Sequence, residues 1–318
     1  MTKILILGGG FGGIRCALDL NKKFKKEAEI TLIDRNGYHL FIPALYEVAS
    51  AYGLKKDTFS VQLRRTICMP YEDIFGKTDI NFVQAEVIKV DLDHKKVETG
   101  GEMSLDYDYL IIAVGSETAD YGISGVREYA HQFKTLEDAL LINQKLEEMS
   151  EQFLHNDKTE PYSFLICGGG FTGIELAAEL GCCTKVIKEK CKIKGRCSNI
   201  TLFEAGPKIL PAISEKEREL IKNRLTKLGI MLMENSPIEE IGPDYVKLKT
   251  GHSVKGDLIV WTAGIKPAEF LKSVPGLPTG NTGRIRVDNF LRVESYNNVY
   301  AVGDAIEFIN PKNQKPIP

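Results

Sequence analysis

The residues best placed for chemistry are two glycine clusters and the acids that follow them. Gly8-Gly9-Gly10-Phe11-Gly12-Gly13 and Gly168-Gly169-Gly170-Phe171-Thr172-Gly173 both carry the spacing G-x-G-x-x-G. A carboxylate follows each cluster at the end of the next apolar run, Asp34 in the first case and Glu204 in the second. This combination suits a dinucleotide: bare backbone N–H groups meet the pyrophosphate, and the acid accepts from the adenosine ribose hydroxyls. Gly8 and Gly168 allow the tight turn. Gly10 and Gly170 let a phosphate approach the backbone, and Gly13 and Gly173 let a helix pack closely on a sheet. Two further acids stand beside glycines: Glu175, just past the second cluster, and Asp304, in the pair Gly303-Asp304.

The elements that must hold these residues can be read on either side of them. Lys3 to Leu7 is a short apolar run, Ile14 to Leu20 begins a helix-period pattern, and Ile30 to Ile33 is a second apolar run. The order repeats with Tyr162 to Cys167, Ile174 to Leu180 and Ile200 to Phe203, the second helix being extended by 181–199. One chain with two such cradles points to electrons passing between two bound cofactors. Ile80 to Val90 alternates as a strand, Lys95 to Thr99 reads as a hairpin arm, and Tyr107 to Val114 reads as a buried strand closing on Gly115. Leu136 to Phe153 has helical period. Ser214 opens a second helix with Glu217 three residues on, a capping box. Short strands are expected at 230–233, 245–249 and 258–261, and a last one before Gly303-Asp304. Residues 50–79 read as helix and loop, and His155 to Pro161 as a polar link.

Several of these residues admit two readings. Phe41 to Ala49 is equally a packed helix or a wall for a flat ring. Asp304 either holds a sugar-alcohol hydroxyl or caps the next helix. Glu175 either carries protons or complements a helix dipole. Cys182, Cys183, Cys191 and Cys197 cluster without the paired C-x2-C spacing of a zinc site, so no metal is expected. Cys16, Cys167 and Trp261 read as core packing.

The totals fit an ordinary globular protein. The chain has 318 residues, enough for two domains, with 26% charged residues and a net charge of −2, which gives no reason to expect nucleic acid. A strand directly after Met1-Thr2 leaves no room for a signal peptide, and no apolar run has the length of a membrane span. Seven cysteines without an export signal suggest reduced thiols in the cytoplasm.

Taken together, the pieces from Lys3 to about Phe308 resemble the two-dinucleotide-binding-domain flavoproteins, the pyridine nucleotide–disulfide oxidoreductase superfamily. The resemblance implies an α/β fold of two Rossmann-like domains, the second inserted into the first, each with a small antiparallel β element. Residues 1–120 and 266–318 would form the FAD-binding domain and 121–265 the NADH-binding domain. It further implies that Gly8, Gly10, Phe11, Gly12, Gly13, Asp34 and Arg35 hold the adenosine diphosphate end of FAD, and that the Val87 backbone meets adenine. Ile42, Pro43 and Gly115 would lie near the flavin half, with Gly303 and Asp304 on the ribityl chain. NADH would be held by Gly168, Gly170, Phe171, Gly173, Glu204 and Gly264.

Within that superfamily, the stretch Tyr38 to Tyr46 lacks the Cys-x4-Cys pair of the disulfide reductases, and Cys68 stands alone. That stretch resembles the type II NADH dehydrogenases, single-chain NADH:quinone oxidoreductases. So do Val114-Gly115-Ser116, Gly168 to Glu175, Leu202 to Pro211 and Trp261 to Gly264. This subfamily resemblance implies hydride transfer from NADH to FAD and electron transfer on to a quinone, with Glu175 in the quinone and proton chemistry. Glu204, with no cation in Ala205-Gly206, favours NADH over NADPH. Sulfide:quinone oxidoreductases share the framework but carry reactive cysteines beside the flavin. An apoptosis-factor-like flavoprotein, whose main role is binding, is the alternative from another class. Family members continue past the equivalent of Pro318 with an Ala-Gln-rich helix and amphipathic membrane-docking helices. A fragment is therefore expected, its parent peripheral on the inner face of the cell membrane; a homodimer is one option, and the sequence does not give the oligomeric state.

Overall fold

The structure is a computed structural model that describes residues 1–51, 65–155 and 160–310. The expectations that fall on 52–64, 156–159 and 311–318 lie outside the described residues. The chain divides into two compact units. The first is Met1–Leu40, Arg65–Glu117 and Ile265–Pro318, and the second is Phe41–Arg64 and Thr118–Gly264. Both are α/β, and the second interrupts the first in sequence.

The first unit is built on a five-stranded sheet in the order Val299–Ala301, Tyr109–Ile112, Thr2–Leu7, Ala28–Asp34, Ile80–Gln84. All its pairings are parallel. The apolar run of the central strand serves both faces, because successive side chains of a strand point to opposite sides. Ile4 and Ile6 pack with Ala17, Ile30, Leu32, Tyr71 and Phe75. Leu5 and Leu7 pack with Ile33, Val97, Leu110, Ile112 and Val299. Helix Phe11–Phe24 contributes Ala17 to the first of these layers.

The alternating stretch 80–90 is two strands, not one. Ile80–Gln84 ends the parallel sheet, and Val87–Asp91 joins Lys96–Thr99 and Ser104–Asp106 in an antiparallel sheet. The break falls at Ala85-Glu86, where the Ala85 N–H donates to the Asp34 carbonyl at 2.9 Å and the Glu86 carbonyl accepts from Gly100 N–H at 2.9 Å. Alternation is common to both ladders, so it could not reveal the change of partner.

The second unit repeats the plan. Its parallel sheet runs His131–Gln132, Leu258–Trp261, Tyr162–Cys167, Ser198–Phe203, Ile230–Met233. Its antiparallel element is Ile238–Ile241, Tyr245–Leu248, Ser253–Lys255. Helix Phe171–Lys190 stops at Lys190 rather than running to 199; Lys192 and Gly195 have φ of 53° and 89°, and the chain turns to enter its strand at Ser198. Helix Leu45–Ser50 packs on helices Leu136–Leu154 and Phe171–Lys190, with Leu45, Val48 and Ala49 buried. Residues 41–51 therefore fold with the second unit, although 1–120 was expected as one stretch of the FAD-binding domain.

Candidate functional site

Each unit carries one cradle. In the first, strand Thr2–Leu7 ends at Gly8, whose φ is 100°; a Cβ there would lie 2.5 Å from the Ala113 carbonyl oxygen. Only glycine fits such a turn without strain. The helix begins at Phe11 with Gly10 as its N-cap, no capping side chain and no acid in the first turn. Neither a capping side chain nor a first-turn acid thus competes for the N–H groups at the positive end of the dipole. A Cβ at Gly10 would meet nothing within 4 Å, which leaves room for a phosphate against the backbone. Gly13 packs on the Gly8 carbonyl and closes the turn from behind.

Asp34 is already oriented. Its Oδ2 accepts the Gly9 N–H at 2.6 Å and its Oδ1 the Asn36 N–H at 2.8 Å. An ionised carboxylate has about four acceptor positions, so these two N–H groups do not fill it. The carbonyl of the same Gly9 accepts the Tyr71 hydroxyl at 2.8 Å and lies 3.0 Å from His39 Nδ1. Burial, and then the neighbouring Asp34 charge, push the Tyr71 phenol far above its ordinary pKa, so it stays a donor. Phe11 meets the His39 ring edge-on with centroids 4.7 Å apart. The Arg35 carbonyl accepts from Gln84 Nε2 at 3.3 Å. Val87 starts the antiparallel strand beside the sheet, beside an irregularity in its register with Thr99.

At the same carboxyl edge of this sheet, past Ile112 and Ala301, Gly115 and Gly303 have φ of 69° and 76°, and a Cβ at Gly12 would lie 3.8 Å from the Gly303 nitrogen. Asp304 Oδ2 accepts the Ser116 hydroxyl at 2.7 Å, and the Asp304 carbonyl accepts Arg284 Nε at 3.3 Å. Asp304 lies inside the short 3-10 turn Gly303–Ala305, whose N-cap is Val302, so it caps no helix among the described residues. Its carboxylate is exposed.

The second cradle repeats the first with different supports. Gly168 has φ of 125°, and Thr262 Oγ1 lies 3.0 Å from the Cys167 carbonyl oxygen and 3.2 Å from that of Gly168, one hydroxyl serving both. Gly170 is an uncapped N-cap with open space where a Cβ would be, and Gly173 packs on the Gly168 carbonyl. Glu204 accepts the Gly169 N–H at 2.9 Å and the Gly206 N–H at 2.7 Å, one on each oxygen. Ile209 sits beneath Gly169 as Tyr71 does beneath Gly9. Phe171 is exposed at the helix start. Gly264, with φ of 71°, presents its carbonyl to Ala119 N–H and packs on the Tyr121 hydroxyl.

Glu175 is the fifth residue of its helix, past the first turn in which a dipole effect concentrates. Burial raises its pKa, which favours the protonated acid. Tyr46, half-buried on the adjoining helix, has its phenol raised by burial and by the charges of Glu47, Glu175 and Glu179. Ile42 and Pro43 are exposed and belong to the second unit. Trp261 is buried and donates to the Ala119 carbonyl at 2.8 Å. None of the seven cysteines forms a disulfide, and among the described residues no group of three or more His, Cys, Asp or Glu is placed to hold a metal.

The residues that motif reading missed are the supports: Tyr71, His39, Gln84 and Ile209. No spacing rule ties Tyr71 to Gly9, 62 residues away. Thr262 was visible only as part of the strand ending Trp261 to Gly264.

Residues 2–316 match the family described as pyridine nucleotide-disulphide oxidoreductase. The type II NADH:quinone oxidoreductase of Staphylococcus aureus is 32% identical over 335 residues, which cover 99% of this chain and 77% of the relative. The Haemophilus influenzae enzyme of the same name is 30% identical, over 100% of this chain and 76% of its own. The solved NDH2 of Plasmodium falciparum in complex with NADH superposes with a TM-score of 0.84 at 25% identity. That match covers 97% of this chain and 65% of the other, so the chain spans a little under two thirds of that protein. The sulfide:quinone oxidoreductase of Aquifex aeolicus shares the fold, with a TM-score of 0.78 at 22% identity over 100% of this chain and 71% of its own. The chain belongs to the pyridine nucleotide-disulphide oxidoreductase family, and the two relatives named above, at 30% and 32% identity, are type II NADH:quinone oxidoreductases.

Proposed function

We propose that the protein is an FAD-dependent oxidoreductase that takes hydride from NADH and delivers two electrons to a quinone. The observation that carries this reading is the pair of equivalent cradles, each with an uncapped helix start, an open glycine and a pre-oriented acid. FAD fits the first cradle: Gly8, Gly10, Phe11, Gly12, Gly13 and Asp34 would hold its adenosine diphosphate end, with Arg35 and Val87 beside the adenosine. Gly115, Gly303 and Asp304 would hold the flavin side. Bound FAD supplies a hydride acceptor that can pass its electrons on to a quinone.

NADH fits the second cradle, on Gly168, Gly170, Phe171, Gly173 and Gly264. Glu204 accepts from both adenosine ribose hydroxyls and repels a 2′-phosphate, so NADPH is the poorer substrate. Glu175 holds a proton at a pH where an ordinary glutamate has lost it, and it supplies that proton to the reduced quinone. We assign FAD binding to the first unit and NADH binding to the second, which includes residues 41–51. Because quinones reside in lipid, we place the working protein peripherally on the inner, cytoplasmic face of the cell membrane, as a homodimer. No helix among the described residues is long and apolar enough to cross a membrane.

Sulfide oxidation is the weaker reading, because the first unit's cysteines, Cys16 and Cys68, are half-buried and buried. The test is steady-state NADH oxidation by the FAD-loaded protein with a soluble quinone, a disulfide or no acceptor. Turnover should need the quinone and should fail with sulfide in place of NADH. Reduction of the disulfide, or turnover on sulfide alone, would overturn the proposal.

A further inference from the structure

Helix Glu215–Lys227 is exposed along most of its length, yet one of its charges is fully buried. Arg218 is 1% exposed. A guanidinium removed from water is tolerated only where its donors find partners. Here they find a loop. Nε donates to the Ile209 carbonyl at 2.8 Å, and Nη2 donates to the carbonyls of Leu210 at 3.1 Å and Ile213 at 3.0 Å. Nη1 pairs with the Glu215 carboxylate.

The loop so held begins at Glu204, the acid of the second cradle. It is pinned from its other side as well. The Ile209 N–H donates to Glu234 Oε1 at 2.8 Å, and Glu234 Oε2 accepts Lys222 Nζ at 2.8 Å. Lys222 is four residues beyond Arg218, so one helix face supplies both cations. The Asn235 N–H donates to the Gly206 carbonyl and the Ser236 N–H to the Glu204 carbonyl, each at 2.8 Å. Ile209, completely buried, lies under Gly169; a Cβ on that glycine would be 2.7 Å from Ile209 Cγ2. Gly169 and Gly206 are the two residues whose N–H groups orient the Glu204 carboxylate.

The geometry points to Arg218 as a positioning residue that sets the affinity and selectivity of the second cradle for an adenosine ribose with a free 2′-hydroxyl. It holds three carbonyls of the loop, which keeps Ile209 beneath Gly169 and Gly206 against Glu204. A carboxylate fixed by two N–H groups cannot swing aside for a 2′-phosphate, whereas one on a loosened loop can. The inference rests on the reading that the second cradle binds NADH.

Arg218→Met keeps an unbranched apolar stem and removes the donors; Glu234→Gln weakens the anchor on the other side and leaves Arg218 in place. Calorimetric binding of ADP-ribose and of 2′-phospho-ADP-ribose to the FAD-loaded proteins is the readout. Melting temperature and flavin content are measured alongside. In Arg218→Met, ADP-ribose should bind about tenfold more weakly, and the preference over its 2′-phosphate should fall about fivefold, flavin content being unchanged. Glu234→Gln should move both in the same direction by less, and it decides alone if Arg218→Met does not fold. An unchanged preference, or equal weakening of both ligands, would overturn the assignment while leaving the nucleotide reading intact. Failure of the unaltered protein to bind ADP-ribose would overturn both.

Discussion

Asp34 and Glu204 each fix their own glycine turn and, in the proposed reading, also accept from a ribose. Each accepts one N–H per oxygen, so the orientation is set before any ligand arrives. Removing such an acceptor forfeits a hydrogen bond to a charged group, about 1.5–3 kcal/mol. Glu204→Ala should therefore lower kcat/KM for NADH roughly ten- to a hundredfold and narrow the gap to NADPH, measured by steady-state kinetics with both nucleotides. Glu175 makes a different prediction. Burial raises its pKa, so the acid is protonated below that raised value and loses its proton as pH climbs through it. Quinone reduction should then fall along a limb displaced upward from the ordinary glutamate range. Glu175→Gln should abolish that limb and slow flavin reoxidation more than flavin reduction or FAD binding, by stopped-flow absorbance; an unaltered profile would remove Glu175 from the proton path. The two acids were legible because a motif fixes their distance from strand and helix. Tyr71 and His39 were not, because they reach Gly9 through tertiary packing alone.

At the scale of elements, the strand–glycine–helix unit separates binding from folding. A methyl group at Gly10 would enter open space on a backbone with φ of −71°, which any residue adopts. Gly10→Ala should leave the unfolding free energy of the FAD-free protein nearly unchanged, within about 0.5 kcal/mol, and lose FAD. A methyl group at Gly13 would strike the Gly8 carbonyl. Gly13→Ala should destabilise the fold itself by about 1–3 kcal/mol, seen by denaturant unfolding before any cofactor is added. The loop between Glu204 and helix Glu215–Lys227 gives a pH signature. Burial opposes the Glu234 charge, but Lys222, the Ile209 N–H and Arg218 outweigh it and hold its pKa below the usual glutamate range. A depressed folded pKa contributes stability that is present above the unfolded pKa and is lost as pH falls through the folded one. Glu234→Gln should flatten that acid-side loss in melting temperature; an identical pH profile would contradict the anchor. Element type was readable from period, while ends were not. The 80–90 stretch changes sheets without changing its alternation, and helix Phe171–Lys190 ends in turn residues, Lys192 and Gly195, that a helical period could not announce.

At the scale of the molecule, the internal repeat was the most informative feature, since each copy carries strand, glycines, helix, strand and acid in one order. Both sheets form around apolar runs buried on two faces, which is why the runs read as continuous rather than alternating. The side on which Leu45–Ser50 packs was hidden, because its apolar residues suit any helix surface and only the fold supplies helices Leu136–Leu154 and Phe171–Lys190. A chain with two cradles has its purpose in exchange between their ligands. The direct measurement is the visible spectrum of the FAD-loaded protein, without oxygen, through one cycle of reductant and oxidant. Stoichiometric NADH should bleach the flavin band, and a soluble quinone should restore it while a disulfide does not. A flavin band that persists under excess NADH would contradict the account.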